Sequence, residues 1–199
     1  MNPDEVEFLA EKQLISIIPT FNSNVIHLIS GDVGPFRASL PVRVPLWMAI
    51  NLKQQRKCKI QPPDWMNIEQ LEELKEEEKR SKTFVKMPSE HYMIEAKLLL
   101  NYATDDISRA DEIRTIIKDI WDIRMSKIRS SVDTLVRNAG FYATVDHLTL
   151  MEINTMRPLL PHALDQVYRM KKAQSTRLPT QSTTLSLLNS SHRGSSLSS

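Results

Sequence analysis

From Arg109 to about Val136 the chain reads RADEIRTIIKDIWDIRMSKIRSSVDTLV, without a glycine or a proline. At ~1.5 Å per residue an unbroken helix here spans roughly 40 Å. Ile117, Trp121, Met125, Ile128, Val132 and Leu135 fall on one stripe by steps of three and four, and Ile113, Ile116, Ile120 and Ile123 widen it. An apolar arc this broad on so long a helix needs more than one neighbour to cover it. The expectation is a helical bundle whose arc is closed by other chains, with Ile117, Trp121, Met125, Ile128 and Val132 as the subunit interface. Trp121 is expected to be buried near a subunit boundary, the kind of aromatic residue that dominates binding energy at interfaces.

The remainder divides into two textures. PDEVEFLAEK starts like a short helix, with Pro3 and acids in its first turn and Val6, Leu9 and Ala10 on one face. Leu14–Ile18 and Val25–Ile29 are short runs rich in β-branched residues, Val42–Val44 is a third, and Cys58–Ile60 a fourth, with a helical pattern from Leu46 between the last two. Beyond Pro62-Pro63 the pattern is helical. Asn67 is a candidate cap for Ile68, Leu71 and Leu74, and the helix runs out into KEEEKRSK, where Glu76/Arg80 and Glu78/Lys82 have the spacing of solvated ion pairs. A second helix is expected over Ser89–Ala103, and Ser108 is expected to cap the long third one. Gly140 fits a stop for that helix, and Thr149-Leu-Met-Glu152 is a capping box for a fourth, broken at Met156-Arg157 and restarted at Pro158.

The reading is α+β, mostly α: a small β-rich domain over 1–61, a helical bundle domain over 62–173, and an unstructured Ser/Thr-rich tail over 174–199 that cannot bury enough to order itself. From Ser175 onward the chain has Arg177, Arg193 and no carboxylate; the rest holds 24 basic and 24 acidic residues. That neutrality argues against nucleic acid as the main ligand, since neutralising phosphates supplies most of a nucleic-acid binder's affinity. One cysteine, Cys58, fits a reducing compartment. No apolar run approaches the ~20 residues of a membrane helix, and MNPDEVEFLAEK does not read as a signal peptide.

The glycines of SGDVGPFRASLPVRVP invite a phosphate-loop reading, but Pro35 removes a donor and about a dozen residues separate Gly31 and Gly34 from the next helix. Gly31-Asp32 is instead expected to turn the chain out of a strand and Gly34-Pro35 to bend it again, with φ > 0. His27, His91, His147, His162 and His192 are far apart, and neither a zinc spacing nor a catalytic motif is present. Lys53, Arg56, Lys57 and Lys59 could touch phosphates, or complement a helix C-terminus. Arg124 and Lys127 have no carboxylates to match on their own helix face; they could meet a partner's acids or nucleic acid, the simpler reading being solubility plus inter-helix pairing. In the tail, Thr180 precedes Gln181, and Thr180 and Ser182 are candidate phosphorylation positions.

The blocks VEFLAEKQLISIIPTF, GDVGPFRASLPVRVPLWMAINLKQQRKCKIQPPDWM, ADEIRTIIKDIWDIRMSKIR and LTLMEINTMRPLL, in unbroken order from about Val6 to Arg169, resemble the eukaryotic GINS complex family, within it the line of the second "partner of SLD five" subunit, PSF two. The resemblance implies a β-rich domain ahead of a helical one and a nuclear heterotetramer with three other GINS subunits. It further implies that this assembly joins the MCM helicase ring and a RecJ-like helicase partner in the replicative helicase. It implies neither catalytic residues nor a cofactor in this subunit, ATP hydrolysis belonging to MCM. DNA contact would be indirect or weak, the alternative being a single-strand DNA module built on Lys53, Arg56, Lys57 and Lys59.

Overall fold

The computed structural model describes residues 2–137 and 146–176. Helix α1 (Pro3–Ala10) opens with proline in its first turn and buries Val6 and Ala10. Strand β1 (Leu14–Pro19) follows and alternates, with Ile15 and Ile17 turned to the core and Leu14 and Ile18 to solvent. It is the centre of a three-stranded antiparallel sheet flanked by β4 (Val42–Pro45) and β5 (Cys58–Ile60). Ser16 pairs with Arg43 on one side, and Ile18 pairs with Lys59 on the other.

Strands β2 (Ile26–Leu28) and β3 (Gly31–Val33) form a separate hairpin. Its turn is Ile29-Ser30, so the expectation of a turn at Gly31-Asp32 is corrected: Gly31 is the first residue of β3 and pairs with Leu28. The glycine conformation itself is as expected, φ +131° at Gly31 and +111° at Gly34.

Helix α2 (Leu46–Gln54) buries Leu46, Ala49 and Ile50 and leads into β5. In the helical half, α3 (Ile68–Arg80), α4 (Tyr92–Tyr102), α5 (Ala110–Arg137), α6 (Leu150–Met156) and α7 (Leu159–Thr176) follow in order. The long α5 covers 28 residues, with α3, α4 and α7 packed along it. Ser108 does not cap it. Arg109 stands directly before the helix in a left-handed conformation (φ +56°), and its carbonyl accepts the N–H groups of Glu112 and Ile113. The capping box at Thr149 opens α6, with the Thr149 N–H donating to Glu152 Oε2 at 2.8 Å. The chain breaks after Met156 and restarts at Leu159. Gln174–Thr176, expected in the tail, are the last residues of α7. The stop at Gly140 and the tail positions Thr180, Ser182 and His192 lie outside the described residues.

One apolar core runs through both halves, from Val6, Ile17, Val44 and Leu46 to Leu71, Tyr92, Leu99 and Ile120. Polar pins add to it where the halves meet: Asp106 Oδ2 accepts Lys53 Nζ at 2.7 Å and the Ile60 N–H at 2.8 Å. A smaller cluster of Phe84, Met125, Ile128 and Met156 sits farther along α5, and half-buried Trp121 touches both clusters.

Candidate partner-binding surfaces

Among the described residues, most of the α5 arc between Ile113 and Ile128 is covered by its own chain. Ile117, Met125 and Ile128 are buried, with Ile117 in the main core and the other two in the smaller cluster. They are therefore not an exposed subunit interface, because α3, α4 and the residues around Met156 supply the neighbours the arc requires. Trp121 and Val132 are half-buried at the edge of the same cluster.

For Arg124 the structure selects pairing between helices over contact with a phosphate or a partner's acid. Its side chain is 0% exposed, as are those of Glu78 and Glu152, so it cannot reach a phosphate or a partner's acid. Its Nε donates to Glu152 Oε1 at 2.6 Å and Nη2 to Glu152 Oε2 at 2.9 Å, a two-pronged fork. Nη1 donates to Glu78 Oε2 and to the Val85 carbonyl, both at 2.9 Å, and Nη2 to the His147 carbonyl at 2.8 Å. Those bonds use all five N–H donors a guanidinium has. Lys127 pairs between helices as well, donating to Glu78 Oε1 at 2.8 Å and to the Glu78 carbonyl. Two cations and two carboxylates make the cluster formally neutral, which is what allows it to leave water.

Further bonds fix the carboxylates. Tyr92 Oη donates to Glu152 Oε1 at 3.3 Å, and the Val85 N–H donates to Glu78 Oε2 at 3.0 Å. Burial pushes the Tyr92 hydroxyl well above its ordinary range, with the Glu152 charge adding to the effect. Burial alone would lower the Arg124 guanidinium, but the hydrogen bond and charge of Glu152, with Glu78 behind it, hold it above its usual value. Glu78 is thus not the exposed i,i+4 partner of Lys82, and Glu76 pairs with Lys79 instead. Two of the three fully buried charges leave a trace in the sequence. Glu78 continues the stripe of Leu71 and Leu74, and Arg124 interrupts the stripe between Ile117 and Ile128.

The basic cluster divides. Lys53 is held by Asp106, with 16% of its side chain exposed. Arg56, Lys57 and Lys59 are exposed. His27 lies on the surface with Nδ1 2.7 Å from Asp32 Oδ1 across the hairpin. Among the described residues, no three His, Cys, Asp or Glu side chains converge as a metal site, and no helix is long and apolar enough to cross a membrane.

Large apolar side chains are left in water elsewhere. On α6 and α7 they are Ile153, Leu164, Tyr168 and Met170, between 47% and 66% exposed. Leu164 and Tyr168 are four residues apart and share a face of α7. On the β-rich half Leu14 and Leu40 are exposed, and Ile29 at the hairpin tip is fully so. Sequence reasoning missed the α6–α7 set because the broader α5 arc outweighed it.

A family model described as the PSF2 N-terminal domain matches residues 2–61, and one described as the GINS complex protein helical bundle domain matches residues 65–171. The chain is 54% identical over 196 residues to the probable DNA replication complex GINS protein PSF2 of Drosophila melanogaster, covering 98% of this chain and 95% of that one. It is 53% identical to the human DNA replication complex GINS protein PSF2 over 171 residues, 86% of this chain and 92% of that one. The Schizosaccharomyces pombe protein psf2 of the same complex is 36% identical over 171 residues, 86% and 90% of the two chains.

Proposed function

Because this chain belongs to the PSF2 family of GINS complex proteins and has a role in DNA replication as a GINS subunit, we propose that it works there as a non-catalytic adaptor. Its primary partners are the other GINS subunits. Its helical half docks to them through the outer face of α6 and α7. Through the assembled complex it joins the MCM ring and a RecJ-like partner in the nucleus, the β-rich half offering further surface.

The observation that carries the docking reading is the exposure of Ile153, Leu164, Tyr168 and Met170 on two consecutive helices while most of the α5 arc between Ile113 and Ile128 is covered by its own chain. Large apolar groups grouped this way mark protein contacts. Co-expression of all four subunits with Leu164→Asp and Tyr168→Asp in this chain tests it. The variant chain is expected to keep its helicity and fail to enter the complex; normal assembly would overturn the reading. Capture of the MCM ring and the RecJ-like partner on the purified complex tests the wider assembly, which fails if neither is retained.

A second reading, weak contact with single-stranded DNA, is favoured by exposed Arg56, Lys57 and Lys59. Three phosphate contacts would give a slope of log affinity on log salt of about −2. A salt-independent affinity, or none, would discard it.

A further inference from the structure

We propose that Arg124 is a positioning residue for subunit assembly: it sets the rotation of α6, and through α6 the face that α7 presents to a sister subunit. The inference rests on the reading of the α6–α7 face as that contact.

Helix α6 has seven residues. Isolated helices shorter than ~12–15 residues are marginal in water, so its presence and orientation are decided by what it packs on. Its buried residues are Glu152 and Met156, four apart and therefore on one side. Glu152 has two tasks at once. Its Oε2 accepts the Thr149 N–H that starts the helix, and both its oxygens accept the Arg124 fork. A fork pairs with a carboxylate in one plane and one direction. Arg124 thereby fixes both where α6 begins and which side of it faces inward. With Glu152 and Met156 inward, Ile153 is turned to solvent. Only Arg157 and Pro158 separate α6 from α7, so the orientation of α6 sets where α7 starts, and α7 then packs along α5 with Leu164 and Tyr168 exposed.

The other donors of Arg124 tie that arrangement to the bundle. Nη1 reaches Glu78 on α3 and Val85 in the α3–α4 connection, and Nη2 reaches His147 just before α6. One side chain of α5 therefore sets three other parts of the chain against each other. A buried ion pair is weak evidence of added stability, because well-packed apolar groups often do as well. What apolar groups cannot supply is direction, and direction is what a docking face needs.

The test uses the four-subunit complex carrying wild-type chain, Arg124→Lys, Glu152→Gln, Leu164→Asp or, as a matched packing control, Ile17→Val in the sheet. Subunit loss on dilution is followed by native mass spectrometry, and hydrogen exchange is read over 146–156 and over β1 and β4. Arg124→Lys keeps the charge but loses the fork. It is expected to raise the dissociation rate tenfold or more and to speed exchange in α6, with β1 and β4 unaffected. Ile17→Val is expected to loosen the sheet without changing dissociation. If Arg124→Lys dissociates no faster than Ile17→Val, Arg124 acts by packing alone and the proposal is wrong. Should Arg124→Lys fail to fold, Glu152→Gln decides, with at least threefold faster dissociation expected and no change overturning the proposal. Leu164→Asp separates the premise: if it leaves the complex intact, the docking face is misplaced and the proposal falls with it. If it breaks assembly while both charge-cluster variants do not, the face stands and only the positioning role is lost.

Discussion

Between the sheet and the first half of α5 the interior is apolar: Ile17, Val44 and Leu46 meet Leu99 and Ile120, all nearly inaccessible to water. Farther along α5 the interior is smaller, and its largest fully buried side chain is Arg124, stacked against the Phe84 ring and held by Glu78 and Glu152. The first region is held by contacts without direction, which tolerate any filling of about the right volume. The second depends on every donor finding its acceptor. The difference teaches where the chain can absorb change: volume is negotiable in the first region, geometry is not in the second.

The comparison breaks most visibly at Arg124. Arg124→Ala leaves Glu152 buried without its cation and Glu78 with Lys127 alone, and a loss of about 3–5 kcal/mol is expected. Replacing the set together, as Arg124→Met with Glu78→Leu, Lys127→Met and Glu152→Leu, should cost less than the single change because no charge is stranded. Urea denaturation of the full chain measures both. A single variant that loses under about 1 kcal/mol, against the expectation for buried pairs, would show that water already reaches the cluster.

In the apolar region the corresponding sensitivity lies in the backbone, at the hairpin. A Cβ on Gly34 would lie 3.2–3.3 Å from the Phe36 ring and 3.3 Å from Val25 Cα, at φ +111°. Gly34→Val is therefore expected to cost about 1–3 kcal/mol. Gly31 also has a positive φ, but nothing lies within 4 Å of the added carbon, so Gly31→Val should cost less. Equal losses in thermal melts would mean that conformation alone, not crowding, sets the effect.

Glu95 is a buried carboxylate on the apolar side, and burial raises its pKa against the opposing Ser89 hydrogen bond and the nearby His91. The folded chain thus holds this proton more tightly than the unfolded one does. Its contribution to stability is present below the unfolded value, about 4.3, and is lost as pH rises through the folded pKa. Melting temperatures of wild type and Glu95→Gln should diverge upward from pH 4 to 7, the variant gaining. Parallel curves would show Glu95 titrating as it does in the unfolded chain.

Legibility in the sequence followed the same division. Strands β1, β4 and β5, helix α2 and the extent of α5 were readable because period and punctuation are local. The α5 arc was readable as apolar, but not its cover, which comes from α3, α4 and Met156, distant in sequence. Pairing of Arg124 between helices was open in the sequence but its partners were not legible, because Glu152 is 28 residues away and Glu78 is 46 away on the other side. A charge inside an apolar stripe was the available sign, and it occurs twice, at Glu78 and Arg124. Ser108 was read as a cap because composition favours it; the backbone at Arg109 decided otherwise. The α6–α7 face was the least legible, since exposure is decided by the packing of the whole chain.

The smallest effect expected is at Cys58, where the two kinds of region touch. Its thiol is buried, with Sγ 3.7 Å from the Ala49 carbonyl, close to the Lys53–Asp106 pair that joins the halves. Burial first, and the Asp106 charge second, push the thiol up to about 11, with Lys53 opposing. At pH 8 the thiolate would be about one part in a thousand, against roughly a quarter for a free thiol near 8.5. Because the thiolate is the reactive form, labelling of native chain at pH 8 should be slowed roughly a hundredfold or more, with no cost to stability at neutral pH. As pH rises from about 8.5 through the folded value, the unfolded state loses its proton first, so stability should fall over that range. Lys53→Met removes the opposing cation and should slow labelling further if the apolar packing around the thiol stays closed. Faster labelling in Lys53→Met would mean that the Lys53–Asp106 contact, rather than apolar packing, keeps water from this seam. The apolar region would then depend on a directed polar contact as the Arg124 region does.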